Sequence, residues 1–151
     1  MRPTIEPADR VVVDLHAYHH GEPKRGDVVV IGEVRLDTFN SMAKLQRVIA
    51  IPGDTIAGQG GRVILDNIPI REAYIPGSAS IDVSSSTDEN LKKLYTYGPV
   101  TLGPGEYFLM GDDREFSDDS RTHGPVRIEA IQGKALYILS SDNDRDGKSL
   151  E

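Results

Sequence analysis

Apolar residues fall in short β-branched runs separated by turn-forming residues, and this pattern predicts strands rather than helices. Arg10-Val11-Val12-Val13-Asp14 follows the turn-prone Glu6-Pro7-Ala8-Asp9 and reads as a first buried strand. Asp27-Val28-Val29-Val30-Ile31 is unbroken in its apolar character, which predicts burial on both faces; it is read as pairing with the first run in hairpin fashion. Gly32 to Ala43 is mixed, a strand edge or a loop. Leu45 to Ile51 is the next strand, and Pro52-Gly53 forces it to turn, because Pro presets φ and Gly accepts positive φ. Thr55-Ile56-Ala57, Arg62-Val63-Ile64-Leu65 and Ile68-Pro69-Ile70, broken by Gly58-Gln59-Gly60-Gly61 and Asp66-Asn67, form a meander of small hairpins. Pro69 lacks an amide donor and belongs on an edge. Gly105 to Met110 and Gly133 to Leu139 are later strands, Arg127 to Gln132 is a single helical turn, and residues 141–151 are a polar tail. Pro76 to Tyr97 holds too few apolar residues to offset ordering entropy and reads as a mobile loop, centred on Ser84 to Asn90.

With 151 residues, 38% of them hydrophobic, and with 15 Gly and 9 Pro, the chain has the size of one domain and the turn density of a β fold. A net charge of −7 without a Lys/Arg run argues against nucleic acid as a partner. There is no cysteine, which excludes disulfides and Cys-ligated metal. His16, His19, His20 and His123 do not form a ligand set, since adjacent His19 and His20 point to opposite faces of an extended segment. No metal and no cofactor are expected. No stretch approaches the roughly 18 apolar residues of a membrane-spanning helix, so the chain taken alone reads as soluble.

Three segments carry the candidate chemistry. They are Met1-Arg2-Pro3-Thr4-Ile5, then Gln46-Arg47-Val48-Ile49-Ala50-Ile51-Pro52-Gly53-Asp54, then Gly111-Asp112-Asp113-Arg114 with Ser117, Asp118, Asp119, Ser120 and Arg121 behind it. Together they closely resemble the sequence boxes of the bacterial type I signal peptidases, membrane-anchored serine proteases that use a Ser/Lys dyad. The resemblance implies a mostly β fold of folded antiparallel sheets with little helix. It places a catalytic domain over residues 1–140, with 53–105 a β-hairpin insertion and a mobile loop around 77–97.

In that family the nucleophilic Ser directly precedes the Met of a Ser-Met-x-Pro-Thr box, and this sequence begins at that Met. The resemblance therefore implies that Met1 is a truncation point behind one or two membrane helices, and the closing Leu150-Glu151 could be a cloning remnant. The general-base Lys of the family precedes the Arg of a Lys-Arg-x-x-x-x-Pro-Gly-Asp box, and that position is Gln46. A lysine serves as base when desolvation pulls its pKa toward neutrality, but a carboxamide has no basic nitrogen. Lys44 lies about 6–7 Å from residue 46 on the same strand face, although a flexible, hydrated lysine keeps a high pKa. Ser41-Met42-Ala43-Lys44 spells the S-x-x-K of penicillin-binding enzymes, but their other motifs are missing from the sequence.

By the same resemblance Ser117 is the partner of the base and would face Gln46. Asp119 and Arg121 would form a structural salt bridge with Ser120 packed between them, and Asp113 stands where the family usually has Asn. Met1, Ile5 and Leu45 match groove positions, while Ala43 and Lys44 lend backbone or walls. The implied substrates are signal peptides of exported preproteins, bound by strand addition. The implied place is the extracytoplasmic side of the bacterial cytoplasmic membrane, whose surface would meet apolar groups near the site, with Met1, Ile5, Phe39 and Met42 as candidates. The chain as given is expected not to cleave. A truncated peptidase with its base replaced and a natural non-catalytic homologue that binds peptides both fit, and the related fold of self-cleaving repressors is a further rival.

Overall fold

In the computed structural model, which describes residues 1–32, 43–75, 87–139 and 146–150, strands dominate. In chain order they are β1 (Arg10–Asp14), β2 (Val28–Ile31), β3 (Lys44–Ala50), β4 (Thr55–Gln59), β5 (Arg62–Leu65), β6 (Ile68–Pro69), β7 (Tyr97–Thr101), β8 (Glu106–Met110), β9 (Val126–Arg127) and β10 (Ile131–Leu139). Two short helices, α1 (Glu89–Tyr95) and α2 (Ser120–His123), complete the set with a 3-10 turn at Ile128–Ala130. The larger sheet runs β1-β10-β2-β3-β8-β9 and the smaller one β6-β5-β4-β7, with neighbouring strands antiparallel.

Side-chain alternation explains how the larger sheet is covered on both faces. Val28 joins Ile5, Ala135, Ile138 and Leu150, whereas its neighbour Val29 joins Val48, Tyr107 and Leu109. On β8, Tyr107 and Leu109 face that second cluster, while Phe108 and Met110 face a third with Ile49, Ile56, Val63, Leu65 and Leu102. This third cluster fastens the smaller sheet to the larger, helped by Tyr97 stacked on Phe108 at 5.6 Å. Asp66 and Asn67 both adopt positive φ, which is the backbone of a tight two-residue hairpin joining β5 to β6. Pro69 sits in the edge strand of the smaller sheet, where no ladder donor is required.

Two expectations change. β1 and β2 do not pair; β10 lies between them, with Val11 opposite Ile138 on one side and Val29 opposite Lys134 on the other. Nine residues long, β10 serves both partners, and the long connection between β1 and β2 imposes no tight turn. The stretch read as a loop up to Tyr97 contains α1, whose last residue Tyr95 is buried, and Tyr97 itself starts β7. Of the polar tail, residues 146–150 lie against the larger sheet. Ser149 bridges Tyr137, Leu150 N–H donates to Leu136 O at 3.0 Å, and the Leu150 side chain packs on Ile5 and Val28.

Candidate active site

β3 supplies the central wall. Its ladder with β8 ends at the Arg47–Met110 pair, but its ladder with β2 continues to Lys44. Val48 N–H donates to Asp27 O, and Val48 O accepts from Gly26 N–H, both at 2.8 Å, so the Val48 backbone points toward β2. By alternation the backbone N–H and C=O of Leu45 point the other way, past the last rung with β8. That edge borders a cleft of about 420 Å³ lined by Met1, Ile5, Lys44, Leu45, Gln46, Gly111, Asp113, Phe116, Ser117 and Asp118.

β3 is pinned where it turns. Asp54 accepts the Ile51 N–H at 2.8 Å and two donors from Arg25, and Gly53 takes a φ of 93° that suits a residue without Cβ. Arg47 is buried and meets Asp112 through two parallel hydrogen bonds, gives a third to Gly26 O at 2.8 Å, and stacks over the Tyr74 ring at 4.1 Å. Thr4 Oγ1 donates to the same Asp112. A second buried pair, Arg114 with Glu72, fixes the far end of the turn, and Arg114 Nε donates to Gly111 O at 3.1 Å. Burial works against the Arg114 charge, yet its hydrogen bonding with Glu72 and the field of that carboxylate hold its pKa above the ordinary value.

Asp119 and Arg121 form an ion pair at 2.9 Å with side chains 0% and 1% exposed. Asp119 also caps α2 through Arg121 N–H and accepts from Gly111 N–H at 3.1 Å. Arg121 reaches Arg114 O and Leu94 O. Ser120 Oγ, between them, accepts from the buried Leu109 N–H at 3.0 Å. These bonds tie the loop after β8 to the strand it leaves.

Gln46 is buried at 3% exposure. Its Nε2 donates to Asp118 O at 2.9 Å, and its Oε1 has no hydrogen-bond partner among the described residues. Ser117 lines the same cleft and sits directly over Gly111, close enough that a Cβ on residue 111 would overlap its side chain. Lys44 is half-exposed and its ammonium rests on Asp118 Oδ2 at 3.0 Å rather than beside Gln46. It lies in a strand, not at the start of a helix, and Ser41 is outside the described residues. Hydrogen bonds from Lys44 and then His123 hold the Asp118 carboxyl below its usual range.

Met1, Ile5 and Leu45 pack together and line the cleft, and Ala43 immediately precedes β3. Ile5 is buried and is removed from the apolar surface expected near the site; Met1 is half-buried, and Phe39 and Met42 lie outside the described residues. The exposed apolar group at the cleft is instead Phe116, at 85% exposure. Sequence reading passed over it, as it passed over Glu72, and it gave Asp118 no role beyond membership of the loop. A phenylalanine inside an acidic loop was the available signal; nothing pointed to Glu72 as the partner of Arg114.

Buried Arg–carboxylate pairs hold the loops beside a strand-edged cleft of mixed lining in an antiparallel β-sheet scaffold. The family model for "Signal peptidase, peptidase S26" matches residues 1–140, and the protein belongs to that family. Among its relatives are the signal peptidase I of Leptolyngbya laminosa, 34% identical over 140 residues covering 90% of this chain and 62% of the relative. The probable signal peptidase I-1 of Synechocystis sp. is 33% identical over 141 residues, covering 91% and 65%. The chain thus spans slightly under two thirds of the length of these relatives. A crystal structure of a signal peptidase I from Enterococcus faecalis V583 superposes with a TM-score of 0.53 at 25% identity, covering 75% of this chain and 96% of that one.

Proposed function

We propose that this chain is a signal-peptidase scaffold whose cleft holds the extended segment ahead of a signal-peptide cleavage site, and that peptide hydrolysis is blocked at residue 46. The observation that carries the reading is Gln46, buried on β3 at the cleft with no basic nitrogen. Leu45 would add its free edge N–H and C=O to the peptide as a further rung. Met1, Ile5 and Leu45 would form the shallow apolar pockets for small side chains. Ser117 would bond the ammonium of a lysine at residue 46, a role left idle by glutamine. Asp119, Ser120 and Arg121 act on this reading by holding the loop in place.

Lys44 does not supply the missing base. Its ammonium is exposed to solvent and rests on the Asp118 carboxylate at 3.0 Å, turned away from the buried position of Gln46. The same groove without hydrolysis is a peptide-binding module, and the unpartnered Oε1 of Gln46 favours this second reading, because a bound N–H would satisfy it. Both readings place the protein at the extracytoplasmic face of a bacterial cytoplasmic membrane with exported preproteins as ligands. Among the described residues no helix is long and apolar enough to cross a membrane.

The test places a Ser directly ahead of Met1, behind a membrane segment, and compares Gln46 with Gln46→Lys on a preprotein substrate. Cleavage is expected from the Gln46→Lys form and none from the Gln46 form, with Lys44→Ala leaving that difference unchanged. Equal cleavage by both forms would show another base at work and end the assignment.

A further inference from the structure

Phe116 is 85% exposed, yet it lines the cleft beside the acidic residues Asp113 and Asp118. Its N–H donates to Asp113 O at 3.1 Å, so a single turn carries both the ring and the Asp113 carboxylate. Among the described residues three other acids of this loop are engaged, Asp112 by Arg47, Asp119 by Arg121 and Asp118 by Lys44 and His123, while Glu115 is exposed. Asp113 is half-buried with no cation in ion-pair reach among the described residues. Within the same cleft the buried Gln46 Oε1 is an acceptor without a donor. An apolar ring, a carboxylate without a cation and an acceptor without a donor among the described residues together ask for a ligand with an alkyl stem, a positive charge and N–H donors.

We propose that the Asp113–Phe116 turn recognises a basic residue of the bound peptide. The Phe116 ring covers the alkyl stem and faces the charge, Asp113 supplies the counter-charge, and Gln46 Oε1 accepts a peptide N–H. The inference rests on the peptide-groove reading and adds the side-chain chemistry that the groove selects. A lysine or arginine fits because cation–π attraction and ion pairing act on the same group, whereas an acidic ligand would meet Asp113 and exposed Glu115. Those two acids, on a chain of net charge −7, also oppose insertion of Phe116 into an anionic bilayer.

The experiment titrates the chain as it stands with labelled extended peptides that are identical except for lysine or norleucine, walked position by position. At one position the lysine peptide should bind about fivefold more tightly. Phe116→Leu, which keeps apolar area but removes the ring, should lower that preference, and Asp113→Asn should remove its salt dependence. Both sites are on the surface, so the fold is retained, and the norleucine peptide serves as the control for it. Equal binding of lysine and norleucine peptides at every position overturns the inference and leaves the groove reading standing. Absence of binding by any peptide overturns both. If Phe116→Ala releases the chain from phosphatidylglycerol vesicles but leaves the lysine preference intact, the ring is a membrane contact and the inference fails.

Discussion

Arg47 and Asp112 face each other across the boundary between β3 and the loop after β8, with Nε to Oδ1 at 2.9 Å and a second guanidinium nitrogen to Oδ2 at 2.7 Å. Their side chains are 6% and 0% exposed, so each would be costly to bury alone. Asp112→Ala should lower unfolding free energy by about 3–5 kcal/mol, because it leaves a buried guanidinium unpaired. The double replacement Arg47→Met with Asp112→Leu should cost less than that single change, as measured by urea denaturation. A single-mutant loss below about 1 kcal/mol would mean the pair is solvated rather than structural.

Gly111 tests the packing of the candidate site. A Cβ there would overlap the Ser117 Oγ and Cβ, and Cβ moves only with its backbone. Gly111→Ala should therefore cost about 1–3 kcal/mol by overpacking and displace the 117 loop wall. Adding Ser117→Gly should recover much of the loss, and the two changes should be strongly non-additive. Additive effects in thermal unfolding would show that Ser117 does not pack on residue 111.

How far the sequence carried differs from one element to the next. The runs around Val29, Ile49 and Leu109 were legible as strands because side-chain alternation or continuous apolar character is a local property. The place of β10 between β1 and β2 was not, since strand order is decided by which edges remain to be paired over more than 100 residues. The box residues Gln46, Ser117 and Asp119 stood out through their spacing. Glu72, whose partner Arg114 lies 42 residues away, carried no pattern of its own. Helix α1 escaped because a seven-residue helix anchored by buried Tyr95 shows too little periodicity to separate from a polar loop.

The chain end gives a third prediction. Leu150 is 4% exposed and packs with Ile5, Val28, Ala135 and Ile138, the cluster that also holds Met1 against the cleft. Leu150→Ala should destabilise the protein by about 2–5 kcal/mol, as for other buried leucines. Because that cluster touches Met1 and Leu45, peptide affinity in a titration should fall as well. Unchanged stability on deleting residues 146–151 would show that this contact does not form in solution.

The last prediction uses Gln46 as a probe of its own surroundings. At 3% exposure, with Asp118 engaged by Lys44 and His123 and Asp119 engaged by Arg121, the position offers a new ammonium the Asp118 carbonyl and, on the proposed reading, the neutral Ser117 hydroxyl, but little compensating charge. In Gln46→Lys, burial should hold the introduced amine about 3 units or more below the ordinary lysine value near 10.4. The sign follows from proton counting. Between the depressed folded pKa and 10.4 the unfolded chain binds more protons, so stability rises with pH across that window. The variant should be less stable than the parent chain by a margin that shrinks by about 1.4 kcal/mol per pH unit as pH rises from about 7 toward 10, and is constant below the folded pKa. Urea denaturation of both proteins over that range reads the margin directly. A margin independent of pH would mean that residue 46 is wet enough to keep a lysine ordinary, in which case the site could not activate a base and the proposed block at Gln46 would lose its physical ground.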